Sequence, residues 1–144
     1  HGGYEGNVYA ELRAFVRAHN LGKVRVGEVG VYTRRNPDTV RGADVLYISH
    51  ERHARKQSPS YLDVAPDLIA EILSPTDRWS DVQTKLHEYF AIGVRQVWVL
   101  DPRPRQVHVY RTPDSVTVLE HTDTLTGDEV LPGFAVPVAH LFEI

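Results

Sequence analysis

The chain has 144 residues, 42% of them hydrophobic and 24% charged, and a net charge of −3, which together predict a single soluble globular domain over residues 1–144. It contains no cysteine, so a disulfide scaffold, a thiolate zinc site and a cysteine nucleophile are excluded, and a reducing cytoplasm is the expected compartment. No apolar run reaches the roughly 18 residues of a membrane span. The chain opens on His1 without methionine, and we expect an N-terminal segment of the protein to precede it.

The first part of the chain predicts a helix and two strands. Residues 5–22 repeat apolar side chains at helical spacing and end in a glycine stop. Residues 23–35 alternate in hydropathy as a strand does, and two glycines within them mark a bend or bulge. A turn over residues 36–42 then leads to a short buried strand, which we expect to open at Asp44.

The central part predicts a loop, a strand and a second helix. Residues 50–61 are polar, basic and irregular, as is typical of a loop. Residues 66–73 form an apolar run that predicts the central strand of a sheet. A helix follows that begins at about Asp77 or Ser80 and ends at Ile92, where a glycine supplies the cap.

The last part predicts a β meander. Residues 95–101 and 105–111 read as a β-hairpin around a turn rich in proline and arginine. Residues 115–120 and 129–134 add strands, and residues 137–144 add a short helix. The order of the elements predicts an α/β fold, a mixed sheet flanked by helices with a C-terminal β meander.

One buried strand carries an unexpected charge. Glu71 lies inside the run "LIAEIL", and a carboxylate in such a place is costly unless something positive meets it. Asp44 and Glu28 are the other carboxylates on predicted strands, and Lys85 lies at the edge of the apolar stripe of the following helix. Converging carboxylates coexist most easily around a divalent cation. Oxygen ligands suit Mg²⁺ or Mn²⁺ better than zinc, and acids, a lysine and a hard metal together indicate metal-assisted phosphodiester hydrolysis.

Four segments carry a resemblance to a known family: "AD" at 43–44, "PDLIAEILSP" at 66–75, "DVQTKLHEYFAIGVRQVWVLDP" at 81–102 and "VHVYR" at 107–111. Together they resemble the Uma-type putative restriction endonucleases. That family, long catalogued as a domain of unknown function, belongs to the PD-(D/E)XK, or restriction-endonuclease-like, superfamily. The resemblance runs over nearly the whole chain, and its most specific part lies between Glu71 and Pro102.

The resemblance implies roles for individual residues. Asp44 and Glu71 would hold a divalent metal, and Lys85 would assist the nucleophilic water. The position two residues after Glu71 is Leu73 rather than lysine, and in this family the lysine lies on the following helix, where Lys85 matches it. Glu28 corresponds to an acid on the first strand and would be a further metal ligand. The resemblance also implies a restriction-endonuclease-like core, a Mg²⁺-dependent endonuclease that acts on DNA, and a homodimer.

Structural explanations remain open for each of these residues. Glu71 is equally explained as a structural acid paired with an arginine, and Asp44 as a cap at the start of its strand. Lys85 is explained as a surface lysine paired with Asp81 or Glu88 on its own helix. The protein itself is alternatively a catalytically inactive nuclease-fold module that binds nucleic acid or a protein partner. A third possibility is a metal-dependent hydrolase of smaller phosphate esters.

Basic side chains cluster on or near the two loops that flank Asp44. They are a candidate phosphate-contacting rim, with a solvated loop pair as the alternative; they are Arg34, Arg35, Arg41, Arg52, Arg55 and Lys56. The eight histidines show no ligand spacing, so none is assigned a metal, although the resemblance brings His1 towards the site.

Overall fold

The computed structural model describes residues 2–144. The helices in this range are α1 (Gly2–Ala18), α2 (His50–His53), α3 (Trp79–Ile92) and α4 (Val138–Leu141). The strands are β1 (Gly22–Arg34), β2 (Thr39–Ser49), β3 (Leu68–Ile72), β4 (Gln96–Asp101), β5 (Gln106–Thr112), β6 (Ser115–Leu119), β7 (Thr124–Gly127) and β8 (Leu131–Pro137). None of these helices is long and apolar enough to cross a membrane.

Six strands form one mixed sheet in the order β1-β2-β3-β4-β5-β6. All neighbours in it are antiparallel except β3 and β4, which run parallel and are joined by α3, since a parallel pair needs a long crossover connection. Strands β7 and β8 form a separate antiparallel pair. The predicted mixed sheet with flanking helices and a meander after the second long helix is confirmed.

The sheet separates two hydrophobic cores. On one face, α1, α4 and the β7–β8 pair, which contributes Phe134, pack against side chains of the sheet that include Ala70 and Trp98. On the other face, α3 packs through Leu86 and Tyr89. All five residues of β3 are buried, because this strand is covered on both faces. A charged side chain in β3 therefore has to find its partners inside the protein.

Three local features differ from the sequence-based expectations. Strand β2 begins at Thr39 instead of Asp44, because its long antiparallel pairing with β1 extends it beyond its apolar stretch. Asp44 consequently lies in the middle of β2, and the interpretation of it as a strand-start cap was wrong. The predicted loop at residues 50–61 begins with the short helix α2. Strand β7 lies between the predicted strands at 115–120 and 129–134, where no strand was predicted.

A β-bulge in β1 confirms the bend that the glycines predicted. Val26 pairs with Val45 and Val29 pairs with Ala43. Gly27 and Glu28 in β1 therefore face the single residue Asp44 in β2, which is the arrangement of a β-bulge. Both bulge residues have positive φ, 92° for Gly27 and 53° for Glu28, a conformation that glycine adopts easily and glutamate seldom does. The bulge brings Glu28 opposite Asp44.

Candidate functional site

Glu71 finds its partners on α3. Its side chain lies on the face of the sheet that α3 covers. Lys85 Nζ lies 3.4 Å from Glu71 Oε1, and the Tyr89 hydroxyl donates a hydrogen bond of 2.7 Å to Glu71 Oε2. Lys85 and Tyr89 are four residues apart and so occupy the same side of the helix. The cation that meets the buried glutamate is thus Lys85, and the alternative of a pairing arginine was wrong.

The position of Glu71 shifts its ionisation. Burial raises the pKa of the Glu71 carboxyl to about 7, the charge of Lys85 opposes this rise, and the nearby Asp44 carboxylate adds to it. Burial and the adjacent Glu71 also raise the pKa of Tyr89, so its hydroxyl keeps its proton and acts as a donor. Near neutral pH, Glu71 is therefore poised between its protonated and ionised forms.

Asp44 lies beside Glu71 on the neighbouring strand. Val45 of β2 pairs with Ala70 of β3, which places Asp44 and Glu71 at the next position along the two strands. The backbone N–H of Ile72 donates a hydrogen bond of 2.8 Å to Asp44 Oδ2. This bond fixes the Asp44 side chain at the end of β3, within the electrostatic reach of Glu71.

A fourth acid, Glu5, joins this region from α1. Glu5 is half-buried, and burial, the charge of Asp44, a hydrogen bond with Asp44 and the charge of Glu28 raise its pKa to about 7. Glu5 was not among the site residues predicted from the sequence. An acidic residue in the first turn of a helix ordinarily just complements the helix dipole, so only the packing of α1 on the sheet reveals its proximity to Asp44.

The predicted site residues share one cavity of about 360 Å³. Its lining includes Lys85 and five acids, namely Glu28, Asp44, Glu71, Asp77 and Asp81. The structure therefore brings together all four residues singled out from the sequence. The excess of acids over lysine makes the cavity attractive to cations and repulsive to an unaccompanied phosphate.

The donor set of this cavity fits magnesium better than a metal that needs a complete protein cage. No group of three or more His, Cys, Asp or Glu residues within residues 2–144 is arranged to hold a metal ion alone. Mg²⁺ is usually bound through one or two carboxylates and completes its shell with water and substrate phosphate oxygens. Asp44 and Glu71, side by side on adjacent strands, meet that requirement.

Lys85 is not a surface lysine paired along its own helix. The candidate partner Glu88 instead forms an ion pair with Arg41 and accepts a hydrogen bond of 2.7 Å from Thr33. Lys85 turns towards Glu71, and its side chain is 31% exposed. It therefore faces both the buried acid and the opening of the cavity.

The six basic residues proposed as a phosphate-contacting rim do not line the site cavity. Arg41 is paired with Glu88, Arg35 with Asp38 and Arg55 with Glu51. Arg52 Nη1 donates hydrogen bonds to the carbonyl oxygens of Ala65, Pro66 and Gly93. These pairings show that much of the basic cluster holds loops in place.

Arg52→Ala is expected to lower the free energy of unfolding by about 2 kcal/mol, because it leaves three carbonyls without this donor and removes the arginine that lies 3.3 Å from the buried Asp67 carboxylate. Arg95 Nη1, 3.9 Å from Asp67 Oδ1, would compensate only in part. Urea denaturation measures the change. Arg55→Ala, which removes an exposed pair, is the matched control and should stay within about 0.5 kcal/mol of wild type. Equal stability of the two variants would contradict the structural role of Arg52.

Two further buried residues, Trp98 and Asp67, stabilise the fold and do not line the cavity. Trp98 is buried in the core and donates a hydrogen bond of 2.7 Å to Gln96. Asp67 accepts a hydrogen bond from the Ser49 N–H and pairs with Arg52, so it belongs to the α2 loop instead of the cavity. His1 lies outside the described residues.

Comparisons with known proteins agree with this fold. A family model described as "Uma2: Putative restriction endonuclease" matches residues 1–139. A crystal structure of a putative nuclease belonging to DUF820 from Anabaena variabilis superposes with a TM-score of 0.80 at 18% sequence identity, covering 99% of this chain and 79% of that chain. At this identity the likeness shows the fold. No curated protein matches the chain.

Proposed function

Because the chain belongs to the Uma2 family of putative restriction endonucleases, we propose that it is a metal-dependent nuclease that hydrolyses DNA phosphodiester bonds. One observation carries the proposal above the others. A glutamate buried in the middle of a strand meets a lysine at 3.4 Å, and an aspartate lies beside it on the next strand, all in one cavity. Burying a carboxylate opposes folding, and an arrangement of this kind is typical of functional sites.

Asp44 and Glu71 are the proposed ligands of a Mg²⁺ or Mn²⁺ ion, with Glu28 as a further acid from the bulge. When bound, the ion would lower the pKa of a water molecule and offset the charge on the phosphate. The hydrogen bond from Ile72 N–H holds Asp44, and the hydroxyl of Tyr89 holds Glu71. Both carboxylates are therefore oriented before any ligand arrives, which limits the reorganisation that binding requires.

Lys85 is the proposed group that acts on the nucleophile. Its Nζ lies beside Glu71 and at the cavity opening, where it would orient the attacking water and stabilise negative charge on a phosphate oxygen. The ion pair with Glu71, whose carboxylate is itself held by Tyr89, restricts where the Lys85 ammonium group can lie. The chain therefore supplies two fixed carboxylates and one cation around the same small volume.

The acid-rich lining bears on the alternative functions. Without a cation, five acids beside one lysine disfavour a phosphate group, so a module that binds nucleic acid at this cavity without metal is the weaker candidate. A hydrolase of small phosphate esters would suit a cavity of about 360 Å³. The cavity, however, adjoins a second groove with which it shares Leu73, Ser74 and Asp77, and this favours an extended substrate.

The first test is calorimetry with Mn²⁺ and Mg²⁺ on wild type and Asp44→Ala, followed by incubation with supercoiled plasmid and single-stranded DNA. We expect wild type to bind the ions and to cleave DNA only in their presence, and Asp44→Ala to lose both properties. Absence of metal binding at millimolar concentration, with and without DNA, would reject the nuclease and leave a nuclease-fold module that binds another partner.

A further inference from the structure

A groove lies directly beside the site cavity. It encloses about 240 Å³, and three of its lining residues, Leu73, Ser74 and Asp77, also line the site cavity. One wall is Trp79, the first residue of α3, and the other is the turn between β4 and β5, which contributes Arg103. The groove is thus a continuation of the site cavity towards the protein surface.

Trp79 presents an aromatic ring in this groove. Its side chain is 41% exposed, although tryptophan is usually largely buried. The ring packs on the imidazole of His108, with 4.9 Å between centroids and a tilt of 46°. His108 Nε2 is buried and lacks a hydrogen-bond partner among residues 2–144, and burial lowers the pKa of this imidazole. A neutral, largely apolar support therefore holds the indole from one side.

Arg103 supplies an available positive charge on the opposite wall. It is exposed, and the structure of residues 2–144 shows no ion pair or side-chain hydrogen bond for it. Four arginines of the cluster near Asp44 differ, because Arg35, Arg41, Arg52 and Arg55 are each engaged by an acid. Two acids also line the groove, Asp77 and Asp101. Asp77 accepts a hydrogen bond of 2.8 Å from Ser74 N–H and so closes its own turn.

We propose that this groove binds an unpaired DNA base next to the scissile phosphate, with the base stacked on Trp79 and the neighbouring phosphate at Arg103. The inference rests on the proposed nuclease function and specifies its substrate class. Aromatic side chains are the usual stacking platforms for single-stranded nucleic acid. Bases inside a duplex are stacked on one another, so the preferred substrate is single-stranded or locally opened DNA.

A second copy of the chain is the competing occupant. Val118 on the edge strand β6 pairs in register with His108, and Val116 and Val118 are 44% and 42% exposed. The apolar surface therefore continues from His108 to an open strand edge, where another chain could pair. The continuity of the groove with the site cavity and the charge of Arg103 favour DNA, since neither feature serves an apolar contact between copies.

Intrinsic fluorescence tests the proposal, because the chain has only two tryptophans and Trp98 is 1% exposed. A 12-nucleotide single strand, the same strand with abasic sites, and its duplex would be titrated in Ca²⁺. We expect quenching by the intact strand alone, with about tenfold tighter binding than the abasic strand or the duplex. Because Trp79→Ala and Trp79→Phe lack the reporting indole, their binding is measured by the fluorescence anisotropy of an end-labelled strand, and wild type is measured in the same way. Trp79→Ala should bind the intact strand about tenfold more weakly. Trp79→Phe should stay within about threefold of wild type, as should the control Val118→Ala.

Arg103→Ala should weaken the binding of the intact and the abasic strand alike and reduce the salt dependence by about one phosphate contact. Equal affinities of wild type and Trp79→Ala, or of intact and abasic strands, would overturn the inference. The inference would also be overturned if Trp79→Ala left DNA binding unchanged and converted a dimer to a monomer in sedimentation. The surface around Trp79 would then be an interface between two copies of the chain. If binding depends on the bases but no metal supports cleavage, the nuclease function is rejected and base binding in the groove is retained. If Trp79→Ala cleaves DNA at the wild-type rate, base binding in the groove is rejected and the nuclease function is retained.

Discussion

Glu71→Gln is expected to lower the rate of DNA cleavage by about a thousandfold, the scale of several kcal/mol that a catalytic metal contributes to transition-state stabilisation. Glutamine keeps the size of the side chain and can still accept the hydrogen bond of Tyr89. It lacks the negative charge that a divalent ion requires beside Asp44. The defect should therefore appear as a loss of metal affinity, without a loss of folded structure.

The same substitution should stabilise the metal-free protein at neutral and alkaline pH. The folded pKa of Glu71 is about 7 against an ordinary value of 4.5, so the folded state binds this proton more tightly than the unfolded state. The contribution of this proton to the free energy of unfolding is fully present below pH 4.5 and is lost as the pH rises through about 7. The full loss is on the order of 3 kcal/mol. Glu71→Gln removes this loss because its amide does not ionise.

Urea denaturation of metal-free protein at several pH values measures the change in stability. Calorimetry measures the loss of metal affinity, and plasmid cleavage measures the loss of activity. Because Glu5 also has a pKa raised to about 7, wild type alone would show a mixed pH dependence, and the difference between wild type and Glu71→Gln isolates Glu71. Glu129→Gln, at an exposed site, is the matched control. If Glu71→Gln cleaved DNA at the wild-type rate, Glu71 would have no role in the catalytic site.

Lys85→Ala is expected to slow cleavage by about a hundredfold to ten-thousandfold, the range for a group that takes part in proton transfer at the reacting centre. Its metal affinity at pH 8 should stay within about threefold of wild type, because both carboxylates remain. The combination of retained metal binding and lost turnover distinguishes Lys85 from Asp44 and Glu71. It would appear as a lower kcat with little change in the metal concentration needed for half-maximal activity.

The pH dependence of metal binding provides a second test of Lys85. Its charge lowers the pKa of Glu71, so Lys85→Ala should raise that pKa and move the onset of metal binding to higher pH. His87→Ala, an exposed change on the same helix, should alter neither property. Unchanged turnover in Lys85→Ala would restrict this lysine to neutralising the buried glutamate.

Local sequence features were sufficient to indicate the core of the site. A glutamate inside an apolar strand is anomalous wherever the strand lies, because the cost of burying a charge is a local property. The following helix placed Lys85 on its sheet-facing edge by periodicity alone. The glycines of β1 predicted the bulge, since a backbone position with positive φ favours glycine. These signals are local, and they indicated the four candidate site residues, Glu28, Asp44, Glu71 and Lys85.

The tertiary structure decided the contacts between elements that are distant along the chain. Whether Arg52 faces DNA or three carbonyl oxygens depends on where the 65–67 segment and Gly93 pack, and nothing local in the sequence specifies that. The same holds for Glu5, brought to Asp44 by the docking of α1, and for Trp79, left exposed on His108. The sequence by itself determined the mixed sheet with its buried acid and lysine, because periodicity and burial cost are read over short stretches. Only the packing decided which surface charges form ion pairs within the fold and which remain available to a ligand, because the partner of each charge is set by three-dimensional proximity.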